Sequence, residues 1–312
     1  MKILRLMRES LIKSLIYKNE RGRGMKKINL LILVCFLGLM FFMTGCTITA
    51  SDSTTRTYYY YPDWTPGGKI LCSKGIVTST TGPGPTPGTD ISGEYYLTIM
   101  DEKGSNEANV KRINNPAKVA ASPLGNYYAY AETGSNFLKV VDTSGNDVIS
   151  IDCSAQVDSL DWSPDESKLV YGTKTSATSE VYTINRDGTS KNILAIGENV
   201  AWRYGEYIAF DVSTPEGKTL SVIKNDGASL TKLRIGYIAQ FISADKILYN
   251  YVPQVRQVNI DGTQDIELFS GYLYRESPKI SYNKTKLVAM DANNGHGIYV
   301  INITGTGEVQ LR

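Results

Sequence analysis

A repeat constrains this chain more than any other feature of its sequence. Leu160–Leu194 (LDWSPDESKLVYGTKTSATSEVYTINRDGTSKNIL) reads as one four-stranded module. Two runs of β-formers, Lys168–Gly172 and Glu180–Asn185, are bounded by turn residues. Ser163-Pro164-Asp165-Glu166 is a tight turn in which Pro pre-sets φ at the second position. Asp187-Gly188 is a hairpin turn, because Gly accepts positive φ without steric cost. Weaker copies lie on both sides. With Trp162 as the anchor, the equivalents are Trp64, Ala121, Trp202, Phe241 and Ile280, and from Ala121 onward the intervals are 41, 40, 39 and 39 residues.

Each anchor is followed by a turn and then by a strand with a polar start and an apolar body. These second strands are Lys69–Cys72, Tyr127–Tyr130, Lys168–Tyr171, Tyr207–Phe210, Lys246–Tyr249 and Lys286–Met290. Each third strand ends at a glycine turn: Gly104, Gly145, Gly188, Gly227, Gly262 and Gly305. A period near 40 residues with four short strands per unit is the signature of propeller blades. The fold expected is therefore all-β, a six-bladed β-propeller of four-stranded antiparallel blades. One blade cannot bury both faces of its small sheet, so the ring closes by stacking neighbours. Each anchor is expected to fill the wedge between blades, a structural role for the three Trp residues rather than sugar stacking.

The first unit is longer, 57 residues from Trp64 to Ala121, because Ser73–Glu94 is inserted between its second and third strands. The stretch Thr81–Gly88 (TGPGPTPG) is incompatible with a central strand, and the insertion reads as a flexible surface excursion. The fifth unit is short, with Tyr251-Val252-Pro253 at the corresponding loop.

Asp161-Trp162-Ser163-Pro164-Asp165, Lys168-Leu169-Val170-Tyr171 and Val181–Gly188 together resemble the repeat of TolB-type propellers, roughly W-S-P-D-G, K-I-A-F, then I-Y-x-x-x-x-D-G. The resemblance runs from Tyr58 to Arg312 and is strongest in the third unit. Ala121 replaces Trp in the second, and the sixth lacks the turn Pro. TolB-type proteins add an N-terminal α/β domain, for which the residues before Tyr58 leave no room. The resemblance thus implies the propeller and a binding role, without the role of TolB in the Tol system.

Residues 1–46 read as a targeting segment. Lys26-Lys27 precedes Ile28–Met43, an uncharged apolar run of signal-peptide length and short for a membrane span. Met43-Thr44-Gly45-Cys46 resembles the bacterial lipoprotein box, which implies that residues 1–45 are cleaved and that Cys46 becomes the lipidated first residue. Met25 is a second candidate start. Residues 46–56 then form a Ser/Thr-rich tether and 57–312 the propeller. The resemblance implies a lipid-anchored protein of the bacterial envelope. With Thr47 after the Cys, the anchor is expected in the outer membrane of a two-membrane host, and otherwise on the outer face of the plasma membrane. Beyond residue 46 there are 24 basic and 29 acidic residues, a mildly acidic body with no electrostatic footprint for nucleic acid.

Related propellers include lyases and parts of serine peptidases, so catalysis is weighed first. The single His, His296, lies in a Gly-rich bend, which excludes a His-rich metal centre. No G-x-S-x-G elbow is present. Asp165, Asp187, Asp226 and Asp261 recur once per unit at turns and lack calcium-loop spacing. No catalytic residue, metal or cofactor is assigned. Cys72 and Cys153 are expected as buried or half-buried thiols rather than a bridge.

In a propeller the loops after strands two and four share one face, and here those loops vary while the others are uniform. Lys174, Arg203, Asp211, Arg256, Arg275 and Asp291 lie on or near that side and are the candidate binding residues. The leading expectation is a membrane-anchored binding module for an envelope protein or polysaccharide. The alternative is a polysaccharide lyase or glycosidase using paired carboxylates in the central channel.

Overall fold

Sheet hydrogen bonding divides the chain into six four-stranded antiparallel sheets, each made of four consecutive strands. The computed structural model describes residues 52–81, 89–175, 178–270, 275–291 and 297–311, and among them there is no helix. From Ser53 onward they belong to one compact unit. The targeting segment, Cys46 and His296 lie outside the described residues. Blade one is Asp52–Trp64, Ile70–Thr81, Thr89–Met100 and Ala108–Ile113. Blade two is Ala117–Ala121, Tyr127–Glu132, Phe137–Asp142 and Asp147–Asp152, and blade three Val157–Trp162, Lys168–Lys174, Ser179–Asn185 and Asn192–Ile196. Blade four is Glu198–Ala201, Tyr207–Thr214, Gly217–Lys224 and Thr231–Ile235. Blade five is Tyr237–Ser243, Lys246–Tyr251, Gln254–Asn259 and Ile266–Ser270, and blade six Arg275–Ile280, Lys286–Asp291, Ile298–Asn302 and Val309–Gln310.

The six glycines expected at the third-strand turns all take φ between 76° and 89°. Each donates its N–H to the carbonyl three residues earlier, as Gly188 does to Asn185 and Gly227 to Lys224. The turn aspartates are consumed locally: Asp187 and Asp261 each accept the N–H and hydroxyl of the Thr two residues on. First strands of blades two to six touch in sequence around the axis, and second strands are buried nearly throughout. Fourth strands expose one face to solvent, as Asn192–Ile196 and Thr231–Ile235 show.

Six apolar clusters fill the six wedges between blades, and each contains one anchor. Trp162 packs between blades two and three, Trp202 between three and four, and Phe241 between four and five. Trp64 closes the ring against blade six, beside Val288, Ile298 and Val300. No strand is shared between the first and last blades. Closure rests instead on this packing, on the Trp64 indole N–H to the Lys279 carbonyl (3.1 Å) and on the Lys286–Glu102 pair (2.7 Å). All three Trp side chains are at most 2% exposed, so none is a sugar platform.

The residue before the anchor alternates in kind around the ring. In blades one, three and five it is Asp63, Asp161 and Gln240; in two, four and six it is Ala120, Ala201 and Lys279. Each polar side chain reaches forward to the next blade. Asp63 accepts the N–H of its own Trp64 and of Ala121 (2.9 and 3.0 Å), and Asp161 those of Trp162 and Trp202 (2.9 and 3.0 Å). Gln240 accepts the Ile280 N–H. Trp162 reaches back to the Ala120 carbonyl (3.2 Å), as Trp64 does to Lys279. The ring is thus stitched as three two-blade pairs. Phe241, lacking an indole N–H, departs from the backward stitch.

Two expectations need correction. The insertion Ser73–Glu94 is not a flexible excursion: its arms pair without interruption from Ser73↔Leu97 to Thr81↔Thr89, and only 82–88 lie outside the described residues. Ile76, Val77 and Thr78–Thr81 are mainly β-branched, and a paired ribbon satisfies their backbone groups. Tyr95 lies across two glycines of the ribbon. A Cβ at Gly75 would come 2.8 Å from its Cε1, and one at Gly93 2.8 Å from its hydroxyl. The first strand also begins at Asp52, within the stretch read as tether. Cys72 and Cys153 are both free and buried, as expected. Burial pushes both thiols up, so neither is a reactive thiolate at neutral pH.

Candidate functional site

First strands run from the variable-loop end of the ring down to the anchors. On the variable-loop side of the anchors, the channel holds a cavity of about 60 Å³. Five blades line it: Tyr61 from one, Lys118 from two, Asp158 and Ser159 from three, Asn199 from four and Lys279 from six. The Lys118 ammonium sits 3.7 Å from the centre of the Tyr61 ring, a cation–π contact that holds the cation at the wall. Ser159 accepts the Val200 N–H (3.2 Å), and the Asn199 amide donates to Asp211 (2.9 Å). Two lysines and one aspartate thus line a polar, partly open space.

Beyond the anchors lies a buried ion pair. Arg203 follows the blade-four anchor and reaches across to Asp63 of blade one, donating to both carboxylate oxygens at 2.7 Å. In a six-bladed ring these blades face each other, so the guanidinium spans the axis. Both partners are at most 1% exposed, and Tyr282 of blade six stacks on the guanidinium at 4.8 Å. Burial opposes the Arg203 charge, but Asp63, then Tyr282 and Asp161, outweigh it and raise its pKa. Burial likewise pushes the Tyr282 phenol up, so it stays protonated.

These positions revise the candidate residues. Arg203 is no face residue but the clasp at the far end. Asp211 is buried in blade four, turned to Asn199, because a carboxylate in a second strand faces the packed interior. Arg256 belongs to the outer rim of blade five, bonded to Asp265 (3.0 Å), Tyr249 (3.2 Å) and Gln254 (2.8 Å). Arg234 of blade four also pairs with Asp265, so this network ties two blades together. Lys174 is exposed at the variable end of blade three. Arg275 and Asp291 pair in register across blade six, and their side chains lie outside the described residues. Only Lys174 remains an exposed face residue among the four with described side chains.

Sequence reasoning passed over Tyr61, Lys118, Asp158, Asn199 and Lys279, which gather only when the ring closes. A signal for the clasp was present: Asp63 and Asp161 are acidic residues at the ends of first strands, directly before a Trp. A second recess, about 310 Å³, lies on the rim between blades one and two beside Lys111, Glu132 and Lys139. Its charges are paired internally, Lys139 with Glu132 (2.8 Å) and Lys111 with Asp147 (3.0 Å).

No protein-family model matches the chain, and no curated protein matches it. Solved structures do. TolB from Acinetobacter baumannii is 16% identical with a TM-score of 0.58, over 82% of this chain and 63% of that one, so this chain spans less than two thirds of it. A protein described as TolB from Agrobacterium tumefaciens is 15% identical with a TM-score of 0.56, over 66% of this chain and 84% of that one. A chain of a nidogen/laminin complex is 11% identical with a TM-score of 0.55, over 82% of this chain and 92% of that one. At such identities the likeness is one of fold. With six four-stranded blades, a Trp-anchored stitch and the Asp-Gly turns in place, the chain has the fold of a TolB-like six-bladed β-propeller.

Proposed function

We propose that this propeller is a binding module of the bacterial cell envelope, tethered through a lipidated Cys46, that receives a segment of an envelope protein or polymer at the channel mouth. The observation that carries the reading is the polar cavity built from five blades, whose lining holds Lys118, Lys279 and one acidic residue, Asp158. An acid–base mechanism of glycosidic cleavage needs a pair of carboxylates flanking the bond. Asp63 and Asp161, deeper in the channel, are already engaged by backbone N–H groups, and Asp63 by Arg203 as well. That arrangement favours binding over the glycosidase alternative. The match to TolB folds supports an envelope location, and the match to a chain of a nidogen/laminin complex is consistent with propellers of this shape meeting other proteins.

The test is capture from detergent-solubilised membranes by the wild type, by a soluble form beginning after Cys46 and by the Lys118→Glu/Lys279→Glu double variant. The expected result is a partner retained by the first two and lost by the third, whose melting curve stays unchanged. Equal capture by the double variant would move the binding surface away from the channel.

A further inference from the structure

The floor of the channel holds more hydrogen-bond donors than the protein satisfies. Arg203 spends Nη2 on Asp63, while its Nε and Nη1, fully buried, have no partner among the described residues. The Nε2 of Gln240 and the hydroxyl of Tyr282 are in the same condition. The Arg203 and Tyr282 atoms lie together, and Gln240 holds the equivalent stitching position of blade five. Tyr282 stacks on the guanidinium, and Gln240 occupies the third of the stitching positions whose other two are Asp63 and Asp161. A buried donor left without an acceptor costs about 1–3 kcal/mol, and native interiors rarely tolerate several together.

We propose that the channel floor binds ordered waters, which between them accept from Arg203 Nε, from Arg203 Nη1 and from Gln240 Nε2, and of which one donates to Asp161. Charge selects water over an anion. The floor holds one cation, Arg203, and two carboxylates, Asp63 and Asp161, both of which act electrostatically on the guanidinium. An anion would add to an excess of negative charge, whereas water both accepts and donates. The hydrated clasp makes the channel blind: a partner entering at the variable-loop mouth meets a polar plug and does not pass through.

The test is diffraction from crystals of the mature chain at about 1.5 Å, with and without a bromide soak, since water hydrogen bonds fall at about 2.7–3.2 Å. The expected map has a solvent peak within hydrogen-bond distance of Arg203 Nε and another within hydrogen-bond distance of Nη1, with no anomalous signal at either after the soak. An anomalous bromide peak on Arg203 would overturn the proposal in favour of an anion site. A floor in which Nε and Nη1 bond directly to protein acceptors, with no solvent peak, would overturn it as well. In solution, arginine-labelled protein should show a magnetisation-transfer peak from long-lived water to the Arg203 Nε–H that disappears in Arg203→Lys. Its absence from the wild type, at protein concentrations where other buried waters are seen, counts against the plug.

Discussion

Replacing Asp63 with Ala probes the ring where its closure and its channel meet. The carboxylate accepts two backbone N–H groups, from Trp64 and Ala121, and both of its oxygens bond Arg203. Removing it leaves a guanidinium buried with no counter-charge at 2.7 Å and two amides of adjacent blades without an acceptor. Breaking one side of a buried pair costs ~3–5 kcal/mol, because the surviving charge is uncompensated. At ~2–4 °C per kcal/mol for a domain of this size, the melting midpoint should fall by about 6–20 °C. Arg203→Met should cost less, since Asp63 keeps its two backbone donors. The double variant Asp63→Ala/Arg203→Met should be more stable than the sum of the singles predicts, by on the order of 1–3 kcal/mol, because no charge is stranded. Thermal and urea unfolding followed by fluorescence of the three buried Trp residues measure all four proteins. A drop of less than about 2 °C for Asp63→Ala, or additivity within ~0.5 kcal/mol, would refute the clasp as a buried and coupled pair.

Four further outcomes are expected. Trp162→Ala should cost ~3–5 kcal/mol, while Trp162→Phe, which keeps most of the wedge filled but loses the bond to the Ala120 carbonyl, should cost nearer ~1 kcal/mol by chemical denaturation. Glu166 is buried, which alone would raise its pKa. Bonds from Ser122, Asn126 and the Leu124 N–H outweigh that and hold it below its usual value. Its contribution is therefore present above the unfolded carboxylate pKa, ~4.3, and lost as pH falls through the lower folded value. Melting from pH 7 to pH 3 should show a steep acid limb, and Glu166→Gln should flatten it; an unchanged acid slope would dismiss Glu166 as a contributor. Joining Thr81 to Thr89 through Asn-Gly in place of 82–88 should leave the midpoint unchanged, whereas deleting 76–93 should lower it by uncovering Tyr95, and equal midpoints would show that the ribbon contributes nothing. Cys46→Ser should abolish fatty-acid labelling and normal maturation, and labelling that survives the change would rule out the anchor at Cys46.

The sequence determined the blade count by itself. A 40-residue period, a Gly at each third-strand turn and an apolar anchor before each second strand are local features, set by backbone sterics and by the need of each small sheet to bury its faces. Six wedges filled by six anchors follow from that pattern with no knowledge of the ring. The insertion in blade one was misjudged because Pro and Gly in 82–88 outweighed the Thr/Val/Ile arms flanking them, whose pairing depends on a partner strand several residues away. The channel was decided by tertiary structure alone. Tyr61, Lys118, Asp158, Asn199 and Lys279 share no motif and meet only because closing the ring brings five first strands to one axis. In the sequence Arg203 reads as a turn residue beside a Trp and as a candidate for the variable face. Its meaning comes from Asp63, 140 positions earlier, which faces it across a ring that exists only once all six blades have packed.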